Sequence, residues 1–424
     1  MNTKDRREFI KSLGLGIALP HVNVASQVLG QKDPIDFRSM SSEDSESFWK
    51  LVKLQFDFAE QLRYFNNASL GGSPLSVQNM TTTARNILDA FPSKYMWGGW
   101  KEEKETVRNK VATLLSVSPE EIALIHNTTE GMNLIARSFN LNPGDEIILA
   151  DHEHTSGRIC WEVFQEARGV KIVRPELPIL PEDDDEIIEL YRKAITPQTK
   201  IISMCHIVNT NGMMLPVKAI SEMAHQHGIL VAVDGAQSAG MIDIDLHDMA
   251  CDFYTASAHK WLFAPKGTGI LYAKESSQHQ LHPLVVCRGY TDKTIRRLEN
   301  YNTRNLPEVL GLGAAIDFIN SIGIDKIEKR SYDLKKYFRN KVSQYSTFKL
   351  KTPAPDTLSS AIQVLEVLNR DVKDAKDFIF KNNRIDCRPM STFGLNAMRF
   401  SFAIYITKED IDDLVEALVD FSET

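Results

Sequence analysis

The sequence predicts an α/β protein: a large domain whose mostly parallel sheet is sandwiched by helices, followed by a smaller α+β C-terminal domain. Three observations carry that expectation. Short apolar, β-branched runs recur along the middle of the chain, IALIHN at 122–127, EIILAD at 146–151, KIISMCH at 200–206 and GILVAVDG at 228–235, each ended by polar residues. Helical segments separate them, among them ETVRNKVATLLS, GMNLIARSF and VKAISEMAHQHG. Apolar strands interleaved with helices are what a parallel sheet covered on both faces requires. After about residue 300 the texture changes to long helical patterns with weaker strands.

At 424 residues the chain can bury a sizeable core in two domains. A net charge of −7, with no face rich in lysine and arginine, argues against nucleic acid as a partner. The sequence has no zinc-ligand spacing, no phosphate-loop motif and no apolar run long enough to span a bilayer.

Taken in order, the chain opens with DRREFIKSLGLGIALP, in which Arg6 and Arg7 precede Phe9, Ile10, Lys11 and a short apolar run. Residues 1–31 resemble a twin-arginine export signal, which implies delivery of a folded protein by the twin-arginine translocase to the periplasm. Replacing both arginines with lysine is then expected to leave the protein in the cytoplasm, its alternative location. No cysteine follows the run, which argues against a lipid anchor. The five cysteines, Cys160, Cys205, Cys251, Cys287 and Cys387, are scattered singly rather than set as a disulfide framework. Residues 32–65 read as a polar linker and a helix that joins the small domain. Residues 66–300 form the expected large domain and 301–424 the small one. In the latter, EVLGLGAAIDFINSIGIDKIEKRSYDLKKYF and TKEDIDDLVEALVDF read as helices, and AIQVLEV and MRFSFAIY as strands.

Parallel sheets bind ligands beyond the C-terminal ends of their strands, where the polar residues of these runs lie. HNTTEGMNL puts Thr128 and Thr129 at the start of a helix, where hydroxyls and free N–H groups form a phosphate site. ADHEHTSG places His152 and His154 after another strand; neither has a partner at metal-ligand spacing, and a flat imidazole there can stack on an aromatic ligand. VAVDGAQSAG ends its strand on Asp234, a carboxylate able to hold a protonated heterocyclic nitrogen. TASAHKWLFAPKGTG then supplies Ser257 and His259 for a phosphate, and Lys260 ahead of Trp261, Leu262 and Phe263. A lysine sunk among such side chains loses ammonium solvation, so its amine becomes a usable nucleophile. Phosphate donors, a stacking ring, an aspartate for a pyridinium and a buried lysine together specify pyridoxal 5'-phosphate, with no metal.

The stretches TTEGMNL, EHTSGRICW, HIVNTNG, VDGAQ, SAHKW and MRFSFAIYITKEDID resemble the class V aminotransferase family of fold-type I pyridoxal-phosphate enzymes, from about residue 66 to the C-terminus. That family includes cysteine desulfurases and isopenicillin N epimerase. The resemblance implies roles. Lys260 would be the Schiff-base lysine and later the acid/base at Cα. Asp234 would pair with the pyridine nitrogen and His154 would stack on the ring. Asn209 and Gln237 would lie near the ring hydroxyl. Thr128, Thr129, Ser257 and His259 would hold the phosphate. Thr303, in NYNTRNLPEVLGLGAA, would complete the phosphate site of a second subunit, which implies a homodimer. Arg399 would take the α-carboxylate of a small amino-acid substrate, and Asn67, in NNASLGG, would line the substrate side.

Amino transfer is the leading expectation for the reaction, with epimerisation next. A cysteine desulfurase or selenocysteine lyase would need a thiol on a mobile loop. Its one candidate, Cys387, is twelve residues before Arg399 in RIDCRPM, which reads as a strand. The stretches NTRN and NNASLGG look closer to the isopenicillin N epimerase-like branch. Arg388 and the aromatic stretch YMWGGW (Tyr95, Trp97, Trp100) are candidates for the side-chain pocket, or else a surface arginine and a packed loop.

Overall fold

The computed structural model describes Ile35, residues 37–40 and residues 45–424; the segment expected to direct export, 1–31, and most of the linker lie outside the described residues. The helix Glu46–Lys53 begins at Ser45, whose hydroxyl accepts from Phe48 N–H. It is tied to the C-terminal part of the chain by Glu46 with Arg330 and by Lys53 with Asp410. The short strand β1 (Arg63–Tyr64) then pairs in parallel with a segment far ahead in sequence.

Seven strands form the main sheet: β2 (Ile122–Ile125), β3 (Glu146–Leu149), β4 (Lys171–Val173), β5 (Thr199–Cys205), β6 (Leu230–Asp234), β7 (Phe253–Ser257) and β8 (Gly269–Ala273), in the order β2-β8-β7-β6-β5-β3-β4. Strands β3 to β7 run parallel, while β8 is antiparallel to both β7 and β2. Strand β2 therefore points the same way as β7, and the C-terminal ends of β2, β3, β5, β6 and β7 share one edge of the sheet. Their side chains are almost entirely buried, which explains why these runs are apolar without alternation. Strand β8, GILYA, follows the turn PKGTG and is a strand that the run-and-helix pattern does not single out.

Two helices leave this edge with deliberate starts. Asn127 Oδ1 accepts from Glu130 N–H (2.9 Å) to cap Thr128–Ser138, and His154 caps Thr155–Arg168, which ends on Gly169 in the left-handed conformation (φ +68). The C-terminal part builds a four-stranded antiparallel sheet from β9 (Phe348–Leu350), β10 (Ile362–Val367), β12 (Arg388–Met390) and β13 (Ala397–Ser401), in the order β12-β13-β10-β9. Strand β11 (Ile385–Asp386) is the partner of β1. The helices Leu306–Ile322 and Ile324–Val342 meet at an angle of 73° around Gly323. A fold-type I α/β architecture is the one the sequence predicts.

Candidate active site

A cavity of about 220 Å³ opens at the shared C-terminal edge of the main sheet. It brings together Thr128, Thr129, His154, Asn209, Asp234, Gln237, Ser257, His259 and Lys260, nine side chains drawn from five separate stretches of sequence. At one end Thr128 N–H donates to Ser257 Oγ (3.0 Å), and Ser257 Oγ donates to Thr128 Oγ1 (3.0 Å). That bond locks the first turn of one helix to the end of β7. His259 stands beside them with Nδ1 buried and without a partner. Burial, reinforced by Lys260 and Lys266, pushes the His259 imidazole down to about 4, so it is neutral at physiological pH.

Lys260 follows on the turn after β7. Its neighbours Trp261, Leu262 and Phe263 are buried, and Phe263 sits at φ +56, a left-handed conformation that a bulky residue adopts only under constraint. Burial pulls the Lys260 amine down to about 8, against the attraction of Asp234 and with help from Arg399 and Arg388. The chain from Asn66 to Gly71 lies directly on this turn: Gly71 N–H donates to His259 O (2.9 Å), and a Cβ on Gly71 would stand 2.1 Å from Lys260 O. Only glycine permits that approach.

Asp234 ends β6 with Oδ1 accepting from Ala236 N–H (2.9 Å). His154 Nδ1 accepts from Ser156 N–H (3.3 Å) and contacts Ser156 Oγ (2.6 Å); burial holds its imidazole below the usual histidine range. Its neighbour His152 turns away, bonded to Thr210 Oγ1 (3.1 Å) and stacked on Phe393. Gln237 reaches the wall with its amide already engaged, donating to Ala68 O (2.9 Å) and accepting from Trp261 Nε1 (2.8 Å).

The remaining residues are placed differently. Asn67 is fully buried and does not line the cavity; its Nδ2 faces Lys260 O (3.5 Å) and its Oδ1 accepts from Tyr405 Oη (3.1 Å). The segment instead offers Ser69, which does line it. Arg399 is 1% exposed, lies just behind the wall, and donates to Asn209 O (2.8 Å) and to Ser69 Oγ (2.7 Å). Arg388 is its cross-strand partner in the β12–β13 register and reaches the same hydroxyl at 3.4 Å. Burial, then the Arg388 charge, brings the Arg399 guanidinium down to about 9. Among the described residues no carboxylate pairs with either arginine. Sequence reasoning passed over Ser69, whose one signal is its place two residues after Asn67.

Thr303 is exposed and outside the cavity of its own chain. Tyr95 and Trp100 line a different hollow, and Trp97 is 71% exposed. Cys387 is 2% exposed between β11 and β12, and burial raises its thiol far above the ordinary range.

Known proteins share this architecture. The sequence profile of the family described as "Aminotransferase class-V" matches residues 99–414. The isopenicillin N epimerase of Amycolatopsis lactamdurans is 30% identical over 395 residues, covering 88% of this chain and 99% of that protein. A probable cysteine desulfurase of Halalkalibacterium halodurans is 34% identical over 332 residues, covering 74% and 81%. Among solved structures, the cysteine desulfurase CsdA of Escherichia coli superposes with a TM-score of 0.76 at 26% identity, over 88% of this chain and 98% of that one. A mutant of C-DES with glycine covalently linked to its PLP cofactor superposes with a TM-score of 0.77 at 20% identity, over 87% and 99%, a likeness of fold.

The residues present fit pyridoxal phosphate. An orphaned buried Nδ1 on His259, beside the N-terminus of Thr128–Ser138, suits a phosphate, and Asp234 and Lys260 face the same cavity at a distance from it. The chain belongs to the class V aminotransferase family, and its cofactor is pyridoxal phosphate.

Proposed function

We propose that the protein moves the Cα proton of a small amino acid, with amino transfer as its reaction. The observation that carries this reading is the Lys260 amine, held near pH 8 in a cavity shared with Asp234. An amine in that range both attacks a carbonyl and exchanges protons at neutral pH. The bound cofactor supplies an electron sink for the charge left on Cα. The protein's own side chains do the rest. Thr128, Thr129, Ser257 and His259 would hold the phosphate, the Asp234 carboxylate would hold the protonated ring nitrogen, and His154 would pack against the ring. Asn209 and Gln237, which line the same cavity, would contact the ring hydroxyl. Arg399, with Ser69 and Arg388 beside it, grips the α-carboxylate and so sets which Cα bond faces Lys260. Lys260 Nζ takes that proton and returns it.

Thr303 supports an active homodimer, because it stands exposed on a loop anchored by Arg304 to the carbonyl of Leu124 at the end of β2 (2.5 Å). Epimerisation is the second reading, favoured by the near-complete coverage of an isopenicillin N epimerase. A desulfurase at Cys387 is disfavoured by that thiol's burial and raised pKa.

A single turnover of the holoenzyme with a panel of L-amino acids, without added keto acid, tests the reading. Bleaching of the yellow cofactor to its amine form with release of a keto acid is expected. Recovery of the unbleached cofactor with an inverted, deuterium-labelled substrate after reaction in D₂O would replace amino transfer by epimerisation. Alanine with bound sulfur would overturn both.

A further inference from the structure

One ionisable group beside the cavity has no part in the steps above. Glu153 lies between His152 and His154, on the segment that joins β3 to the helix Thr155–Arg168, and is 5% exposed. Its Oε1 accepts from Cys205 N–H (2.9 Å) at the end of β5, directly beside Asp234 in the β5–β6 register. Its Oε2 is buried and has no partner. A Cβ placed on Gly157 would stand 3.4 Å from Asp234 Oδ2 and 3.9 Å from Glu153 Oε2. The free oxygens of the two carboxyl groups therefore face one gap, left open by a glycine in the first turn of the helix.

We infer that Glu153 is a positioning residue for Asp234: a buried acid that keeps its proton and directs it across the Gly157 gap, leaving Asp234 as the one ionised carboxylate under the cofactor ring. Two carboxyl groups that face one buried gap each disfavour the other's ionised form. The proton's place follows from the neighbours. Asp234 has Ala236 N–H on Oδ1 and faces a cation in either state, the Lys260 ammonium when the cavity is empty and the cofactor's ring N–H when it is filled. Glu153 has one backbone N–H and the weakly donating Cys205 thiol, and no cation. The groups that face it are Asp151 from its own segment, Asp234 from β6, Cys205 from β5, Cys160 from the helix Thr155–Arg168, and Tyr191 from the helix Asp184–Ala194. All of these are neutral or anionic. Burial first, then the Asp234 and Asp151 charges, push the Glu153 carboxyl up to about 8. A proton donated toward Asp234 would orient that carboxylate and hold it facing the ring nitrogen.

The inference rests on the cofactor and not on the reaction class, so the single-turnover outcome does not decide it. Its test uses the full-length holoenzyme and two readouts other than activity. The first is the melting temperature of the wild type and of Glu153→Gln from pH 5 to 9. A carboxyl whose pKa is raised on folding stabilises the folded state fully below its unfolded value of 4.5, and that contribution is lost as pH rises to about 8. The Gln variant, neutral throughout, is expected to gain on the wild type by several degrees across that window and then run parallel to it. A constant difference would mean that Glu153 is ionised throughout, and would overturn the proposal. The second readout is the nitrogen-15 resonance of the cofactor's ring nitrogen. It should stay at its protonated position in Glu153→Gln, whose amide still donates, and move toward the unprotonated one in Glu153→Leu. An unmoved resonance in a folded Leu variant would equally sink it. Should the Leu variant not fold, the Gln melting profile still decides.

Discussion

At the phosphate end of the cavity every side chain arrives on the tip of a main-sheet strand, on the turn behind it, or on the first turn of the next helix. At the carboxylate end, Arg388 and Arg399 come from the four-stranded sheet and Ser69 from the coil after β1. The first end is finished before a ligand comes: Thr128 and Ser257 already bond each other, the Asn127 cap already holds Glu130 N–H, and the orphaned His259 nitrogen waits for a partner. The second end is closed on itself, because the Ser69 hydroxyl takes one arm of the Arg399 fork and Asn209 O the other. A rigid end suits a cofactor that stays, and an end whose arginine rests on two exchangeable neutral acceptors suits a substrate that comes and goes.

Lys260 lies where the two ends meet, so its removal is expected to have the largest effect. Lys260→Ala should lower kcat at least ~10³-fold, since it deletes nucleophile and proton carrier together. Steady-state turnover of the best amino acid from the panel, with a melting curve to confirm folding, measures it. A loss under about tenfold would move the chemistry out of this cavity.

The carboxylate end should respond in two opposite directions. Arg399→Lys removes the planar fork and is expected to raise KM by roughly 10- to 100-fold, the worth of one or two charge-assisted hydrogen bonds. Ser69→Ala frees one arm of the fork, the other staying on Asn209 O, and is expected to lower KM by a few-fold. If both variants raise KM, then Ser69 is itself a substrate contact and the two ends are equally prebuilt.

The phosphate end was legible in sequence because each of its pieces is local. TTEGMNL, VDGAQ and SAHKW each pair a strand end with the next turn, so the α/β fold and six cavity residues (Thr128, Thr129, Asp234, Ser257, His259 and Lys260) followed from one pattern, while Asn209 and Gln237 came from the family resemblance. The carboxylate end joins residues 319 and 330 positions apart, and no local pattern couples Ser69 to Arg388 or Arg399. Asn67 marks the limit: the right segment was legible, but two residues' rotation along it decides which side chain reaches the cavity. Glu153 shows another limit. Its weight comes from burial beside Asp234 across the missing Gly157 side chain, a tertiary fact that the letters His-Glu-His do not carry. Strand β8 was missed because the Lys260 motif runs straight into its turn.

The smallest expected effect concerns Cys387, which belongs to neither end. It lies between β11 and β12, and its buried thiol is held protonated by the lack of solvation and by the nearby Asp386 charge. A sulfur acceptor must be a thiolate within reach of the substrate side chain. Cys387 instead lies buried at the junction leading into β12, so Cys387→Ser should leave kcat with any amino acid within about twofold and lower the melting temperature modestly, by burying a hydroxyl in place of a thiol. Assaying sulfide or persulfide release from L-cysteine alongside turnover of the other amino acids checks this. A selective collapse of cysteine turnover, with the rest unchanged, would show that the β11–β12 junction opens in solution. The carboxylate end would then be a mobile arm carrying a nucleophile, and the contrast drawn between the two ends would become one between a fixed site and a moving one.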